Sequence, residues 1–203
     1  MKAMILAAGR GSRLAALTDK TPKPLLPVHG KPLIERQIGQ LKAAGLTDLI
    51  INLHHLGDQI VGVLGDGTHL GVSISYSQED SPLETGGGVK YALPLLGNEP
   101  FVLLNGDIWT DFDFQTLPAN LPSPGLAHVV LTPTPQWRER GDFEYRPGYV
   151  SARGTAYVYC GIAMLAPEII EARAETVFSL RDIYFDLIET NCLTAQIFHG
   201  EWL

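Results

Sequence analysis

Cysteine is scarce in this chain. Cys160 and Cys192 are its only two, too few for a disulfide framework, and no Cys-x-x-Cys pair exists to hold a metal or run a dithiol redox cycle. Long hydrophobic runs are missing too. No apolar stretch approaches the roughly 20 residues that a membrane-spanning helix needs. The N-terminus runs directly into a first apolar strand with no secretory leader, so the cytoplasm is the expected compartment. Excess positive charge is also lacking. With 15 Lys and Arg against 22 Asp and Glu, a net charge of −7, the chain is a poor match for nucleic acid or an anionic membrane. His54, His55, His69 and His199 show no ligand spacing with carboxylates, and there is no internal repeat or low-complexity tract. What remains is a chain of 203 residues, 45% hydrophobic, with enough apolar material for one sizeable core.

Positive charge is gathered at one end. Lys2, Arg10, Arg13, Lys20 and Lys23 fall in the opening stretch against Asp19 alone. There the sequence Leu6 to Pro27 reads LAAGRGSRLAALTDKTPKPLLP. Met4, Ile5 and Leu6 make a short buried strand. Ala7, Ala8, Gly9 and Gly11 supply nearly bare backbone at its C-terminal end, and Ser12 and Arg13 open a short helix. A glycine-rich turn between a strand and a helix N-terminus aims backbone N–H groups at one point, a phosphate cradle in physical terms. Arg13 and Lys23 add cations that can neutralise the same anion. Glycine alone would equally serve a tight turn; the cations beside Pro22 and Pro24 favour function. Three commoner glycine motifs fail. The third glycine of a dinucleotide fingerprint is replaced by Leu14, no Gly-Lys-Ser/Thr closes a Walker A loop, and no kinase signatures follow.

Along the chain, Leu33, Ile34, Ile38 and Leu41 recur at helical spacing after Pro32, ending at Gly45. Leu49 to Leu53 reads as a strand, Leu56 to Leu64 as a helix, Val72 to Tyr76 as a strand, and Gly86-Gly87-Gly88 as the opening of a helix through Leu96. Phe101 to Leu104 is an apolar strand leading into Asn105-Gly106-Asp107. This alternation predicts an α/β fold, a doubly wound and mostly parallel sheet flanked by helices. Beyond it, Ala127 to Leu131 reads as a strand, Thr132 to Gly154 as polar and irregular, Ala156 to Cys160 as a strand, Leu180 to Glu189 as a helix, and Ala195 to Phe198 as a last strand. One domain is expected, with the phosphate-cradle half at 1–112 and a substrate half at 113–203.

The glycine turn, the loop from Glu79 to Gly88 and Asp107 all follow strands that should be parallel. They therefore converge on the carboxyl edge, where open α/β sheets bind ligands. Asp107, a carboxylate at the mouth of a buried strand beside a phosphate cradle, is placed to hold Mg²⁺, although Asn-Gly-Asp is also good turn chemistry. Gly86 to Gly88 would let backbone approach a flat ring closely. Glu79 could accept a hydrogen bond from a ring N–H or be a solvated loop carboxylate.

LAAGRGSRL followed by TPKPLLP resembles the signature of the sugar-1-phosphate nucleotidyltransferases, and the likeness extends over nearly the whole chain. It implies a Rossmann-like fold and an enzyme that joins a sugar 1-phosphate to a nucleoside triphosphate with release of pyrophosphate. The compact length, NGDIWTD and PLETGGG are most similar to members that use UTP and N-acetyl-α-muramate 1-phosphate in bacterial peptidoglycan recycling. Glucose 1-phosphate with UTP, mannose 1-phosphate with GTP, or a silent sugar-nucleotide-binding module on the same fold are the alternatives. The resemblance implies catalytic roles for Arg13, Lys23 and Asp107, with Asp107 on Mg²⁺. It implies nucleotide contacts from Ala8, Gly9, Gly11, Ser12, Arg13, Lys23, Glu79, Thr85 and Gly86. Sugar contacts are implied for Asn105, for Gly141 and Asp142 in Arg140-Gly141-Asp142-Phe143, and for Cys160 and Gly161 in Tyr159-Cys160-Gly161-Ile162. Cys160 stands where a hydroxyl residue is expected, and its alternative reading is a buried small apolar residue with no functional role. In the resembling family a tryptophan segment like Gly200-Glu201-Trp202 is followed at once by Asp-Val/Ile-Gly-Thr, whose aspartate is a second Mg²⁺ ligand. Here that ligand is expected just beyond Leu203, so the chain is expected to be a shortened form that holds Mg²⁺ weakly.

Overall fold

The structure is a computed structural model and describes residues 1–9 and 18–203. Strand β1 is Ala3–Leu6, and a two-residue ribbon, β2 (Pro27–Val28) with β3 (Lys31–Pro32), precedes helix α1, Leu33–Ala43. Then come β4 (Asp48–Leu53), α2 (Gly57–Leu64), β5 (Ser73–Gln78), α3 (Glu84–Leu96) and β6 (Phe101–Asn105). The later part has β7 (Ala127–Pro133), β8 (Phe143–Arg146), β9 (Tyr149–Arg153), β10 (Tyr157–Leu165), a short α4 (Glu168–Glu171), α5 (Leu180–Glu189) and β11 (Leu193–Ile197). Among the described residues no helix is long and apolar enough to cross a membrane.

Residue alternation explains the layers. Along β1, Ala3 and Ile5 point to one face and Met4 to the other; along β6, Val102 and Leu104 oppose Phe101 and Leu103. One face is covered by α1 (Ile34, Ile38, Leu41) and α2 (Ile60, Leu64). The other is covered by α3 (Val89, Ala92, Leu96) and by α5, whose Leu180, Ile183, Tyr184 and Leu187 form a stripe at helical spacing. Both faces of the sheet are therefore dry at β1, β4 and β6, which is why those strands read as continuous apolar runs.

Among the described residues the main sheet runs β5-β4-β1-β6-β10-β7-β11-β9-β8. Its first part, β5-β4-β1-β6, is wholly parallel, as the alternation of elements predicts. The doubly wound α/β reading holds there. From β6 onward the sheet is mixed: β10 pairs antiparallel with β6 and β7, while β11 runs parallel to β7. Since β6 and β10 pair, one sheet carries both the 1–112 and 113–203 stretches.

Two expectations are corrected. Residues 132–154 are irregular only in part: 134–142 lack helix or strand, but β7 extends through Pro133, and β8 and β9 form an antiparallel hairpin. Its turn is Pro147-Gly148, Gly148 having φ +87°, and its exposed outer side chains hid the alternation. Strand β10 also runs on to Leu165 rather than stopping at Cys160. Gly161, at φ +77°, takes up a register shift between Tyr159 and Ala163 that a side chain would resist.

Candidate active site

Strands β1, β4, β5 and β6 end at one edge, where Leu6 lies opposite both Asn52 and Asn105. Asn52 links the loops there. Its Oδ1 accepts from the Ala7 amide at 2.8 Å, fixing the first turn, and its Nδ2 donates to Glu79 Oε1 at 2.7 Å. Glu79 Oε2 accepts from the Leu83 amide, and a His54 ring nitrogen bonds the Glu79 carbonyl. Glu79 is only 3% exposed, so the solvated reading is wrong. Burial pushes its carboxyl above the usual carboxylate range, against the downward pull of Asn52, Leu83 and His54.

The turn carrying Asp107 is held from below by α1. Gln37 Nε2 donates to the carbonyls of Asn105 and Ile108 at 3.0 and 2.9 Å, and Gln40 Nε2 to that of Thr110 at 2.7 Å. Neither glutamine was singled out in the sequence. The available signal was a pair of amides three residues apart within an otherwise apolar helix stripe.

Two adjoining cavities open at this edge. A crevice of about 460 Å³ is lined by Ala8, Gly9, Lys23, Glu79, Thr85 and Asp107, among others. A wider compartment of about 1060 Å³ reaches toward Gly141, Asp142, Gly161 and the start of α5. Lys23, Thr85, Asn105 and Asp107 line both. Where they meet, Lys23 Nζ pairs with Asp107 Oδ2 at 2.8 Å. In the wider compartment, Asp142 is bonded within the protein, accepting from Arg138 and from the Tyr159 amide, both at 3.0 Å. Arg140, Arg153 and Arg181 line the same space. Arg153 and Arg181, not singled out in the sequence, stand over the Phe185 ring at 4.1 and 6.0 Å from its centroid.

Gly11, Ser12 and Arg13 lie outside the described residues. Two further residues depart from expectation. Cys160 is fully buried in the α1-side core between β6 and β7 neighbours, and burial pushes its thiol up to about 12. Strand alternation turns Tyr159 to the opposite face, so the thiol is turned away from the wider compartment. Gly86 is not on the crevice wall either. Its amide and that of Gly87 donate to the Phe178 carbonyl at 2.9 and 3.1 Å, and a Cβ on Gly86 would collide with the Phe178 ring. The glycines admit protein rather than a base.

Among the described residues no group of three or more His, Cys, Asp or Glu is arranged to hold a metal ion. Asp107 is a single, half-exposed carboxylate at the cavity junction.

A family model described as nucleotidyl transferase matches residues 2–143. The whole chain is 44% identical to N-acetylmuramate alpha-1-phosphate uridylyltransferase from Neisseria meningitidis serogroup B, aligning with 92% of that protein. Over 74% of its length it is 36% identical to mannose-1-phosphate guanyltransferase from Gibberella zeae, spanning 43% of that relative. A solved UDP-glucose pyrophosphorylase complexed with UDP-glucose superposes at TM-score 0.81 over 99% of this chain and 91% of its own, at 18% identity, a likeness of fold alone.

Proposed function

Because the chain belongs to the nucleotidyl transferase family, we propose that it transfers the uridylyl group of UTP to N-acetyl-α-muramate 1-phosphate, giving UDP-N-acetylmuramate and pyrophosphate. The observation that carries this reading is the pairing of a narrow crevice with a wide, arginine-lined compartment at Lys23 and Asp107. In a chain of net charge −7, that compartment gathers Lys23, Arg138, Arg140, Arg153 and Arg181. Such a lining suits a sugar that carries a carboxylate as well as a phosphate. The match to a uridylyltransferase over the whole chain supports the same substrate pair.

In the reaction, an oxygen of the sugar phosphate forms a bond to the α-phosphorus of UTP as the bond from that phosphorus to the β-phosphate oxygen breaks, and pyrophosphate leaves. No protein nucleophile is required, so the chain's contribution is positioning and charge neutralisation. Lys23 stands where the reacting phosphates would meet and neutralises their charge. Arg13 is proposed for the departing pyrophosphate, and the backbone of Ala8, Gly9, Gly11 and Ser12 for the triphosphate. Glu79 and residues 82–85 also line the crevice, suited to a nucleobase edge.

Asp107 fits one oxygen ligand of Mg²⁺, a hard ion that would take the rest of its shell from phosphates and water and be held weakly by this carboxylate alone. Mg²⁺ bound there would supply further neutralisation of the phosphate oxygens.

The test is to incubate the protein with Mg²⁺, each nucleoside triphosphate and a panel of sugar 1-phosphates, and to measure pyrophosphate. Fastest release is expected with UTP and N-acetyl-α-muramate 1-phosphate. Preference for mannose 1-phosphate with GTP, or for an uncharged sugar with UTP, would overturn the substrate assignment.

A further inference from the structure

Thr85 lines both the crevice and the wider compartment, yet its hydroxyl has a protein partner. Oγ1 accepts a hydrogen bond from the Leu180 amide at 2.9 Å, across 95 residues. Leu180 is the first residue of α5. The first amides of a helix have no partner within it, and the N-cap Ser179 hydroxyl accepts from Arg181, leaving Leu180 to Thr85. The relation is reciprocal. The early amides of α3, those of Gly86 and Gly87, are taken by the Phe178 carbonyl, two residues before α5 begins. Lys90 of α3 donates to the carbonyls of Arg173 and Glu175 on the same connecting segment. Each helix start is thus capped by the other's approach. Immediately before Thr85, Glu84 is held at φ +60°, a costly backbone for a residue with a side chain, so this junction is tightly determined by its surroundings.

The two helices serve different cavities. The loop into α3 walls the crevice proposed for the nucleotide, whereas α5 presents Arg181, Tyr184 and Phe185 to the compartment proposed for the sugar. Resting on that reading of the two cavities, we propose that Thr85 is a positioning residue: from the nucleotide side it holds the N-terminus of α5, and through it the sugar-facing side chains. It does not read the nucleotide with its hydroxyl. Packing a nucleotide against residues 82–85 then also orders the sugar compartment, coupling the two sites through one hydrogen bond and the shared cap.

The experiment compares wild type with Thr85→Val, which keeps the shape but removes the acceptor, and Thr85→Ser, which restores it. UTP affinity is measured by calorimetry. The sugar-phosphate KM is measured by pyrophosphate release at saturating UTP, with whichever sugar 1-phosphate the wild type turns over. A wrong sugar assignment therefore shows in the wild-type panel and leaves the test intact. Thr85→Val is expected to raise the sugar-phosphate KM about tenfold with UTP Kd changed less than about twofold, and Thr85→Ser to recover most of the loss. A raised UTP Kd with an unchanged sugar KM would make Thr85 a nucleotide ligand and overturn the proposal. Should Thr85→Val fail to fold, Leu180→Pro removes the donor at a position where helices accept proline. Measured against Leu180→Ala, which also trims the side chain but keeps the N–H, it should show the higher sugar KM. Equal KM values in that pair would also overturn the proposal.

Discussion

Lys23 Nζ lies 2.8 Å from Asp107 Oδ2, an ion pair across 84 residues that closes the junction of the two cavities. A cation from the glycine-turn segment and an anion from the end of β6 meet there because parallel strands deliver both loops to one edge. Their side chains are 27% and 46% exposed, so the pair adds little to folding, about 0–1 kcal/mol for such surface pairs. Lys23→Ala should therefore leave the melting temperature within a few degrees of wild type while lowering turnover by about two orders of magnitude, roughly 3 kcal/mol of transition-state stabilisation. Pyrophosphate release and a thermal melt on the same preparation check both halves. Wild-type turnover in a folded Lys23→Ala protein removes Lys23 from the chemistry.

Glu79 gives a pH prediction. Burial penalises its ionised form, so the folded state holds the proton more tightly than the unfolded chain, whose value is near 4.5. A raised carboxyl contributes stability that is fully present below the unfolded value and is lost as pH rises through the folded one. Glu79→Gln cannot ionise. Its melting temperature relative to wild type should therefore shift in favour of the variant as pH rises above the unfolded value near 4.5. A constant difference as pH rises would show that Glu79 does not titrate on unfolding.

Gly86→Val is expected to unfold the protein more readily. An added side chain meets the Phe178 ring and carbonyl, so overpacking of about 1–3 kcal/mol should lower the melting temperature by several degrees. Loss of UTP affinity at unchanged stability would return Gly86 to the base pocket.

Cys160→Ser tests the corrected place of that residue. The hydroxyl would enter an apolar core, costing about 1–3 kcal/mol of stability, while the sugar-phosphate KM stays at its wild-type value. Native protein should expose the partly buried Cys192 thiol to a thiol reagent, and Cys160 only after unfolding. Rapid modification of both thiols in native protein would contradict the burial.

Elements whose pattern is set by their own residues are legible in the sequence. Leu180 to Glu189 has the bounds of α5, and the apolar runs of β4 and β6 are set by their own residues, because a strand covered on both faces needs no partner-dependent pattern to be recognised. The hairpin β8–β9 was not legible in the same way. Its side chains are largely exposed, and its edge is satisfied by pairing with β10 and β11, elements distant in the chain. The Pro147-Gly148 turn between FEYR and YVSAR was the local signal that could have found it.

A glycine turn, a buried strand followed by Asp107 and three glycines at the start of a helix are written in the sequence, as is the parallel order that brings them to one edge. Composition and strand period carry that much, since each depends on a residue and its near neighbours. Tertiary structure alone decided what each group faces. Glycine at 86 signals a close approach, but only the path of residues 176–178 makes the approaching surface protein. Cys160 sits between two residues that line the wider compartment, Tyr159 and Gly161, yet strand alternation turns its thiol into the core. Thr85 can accept a hydrogen bond from anything in reach, and the N-terminus of α5 supplies the unpaired amide. A side chain's chemistry is written in the sequence, but its partner is chosen by packing between segments far apart in the chain.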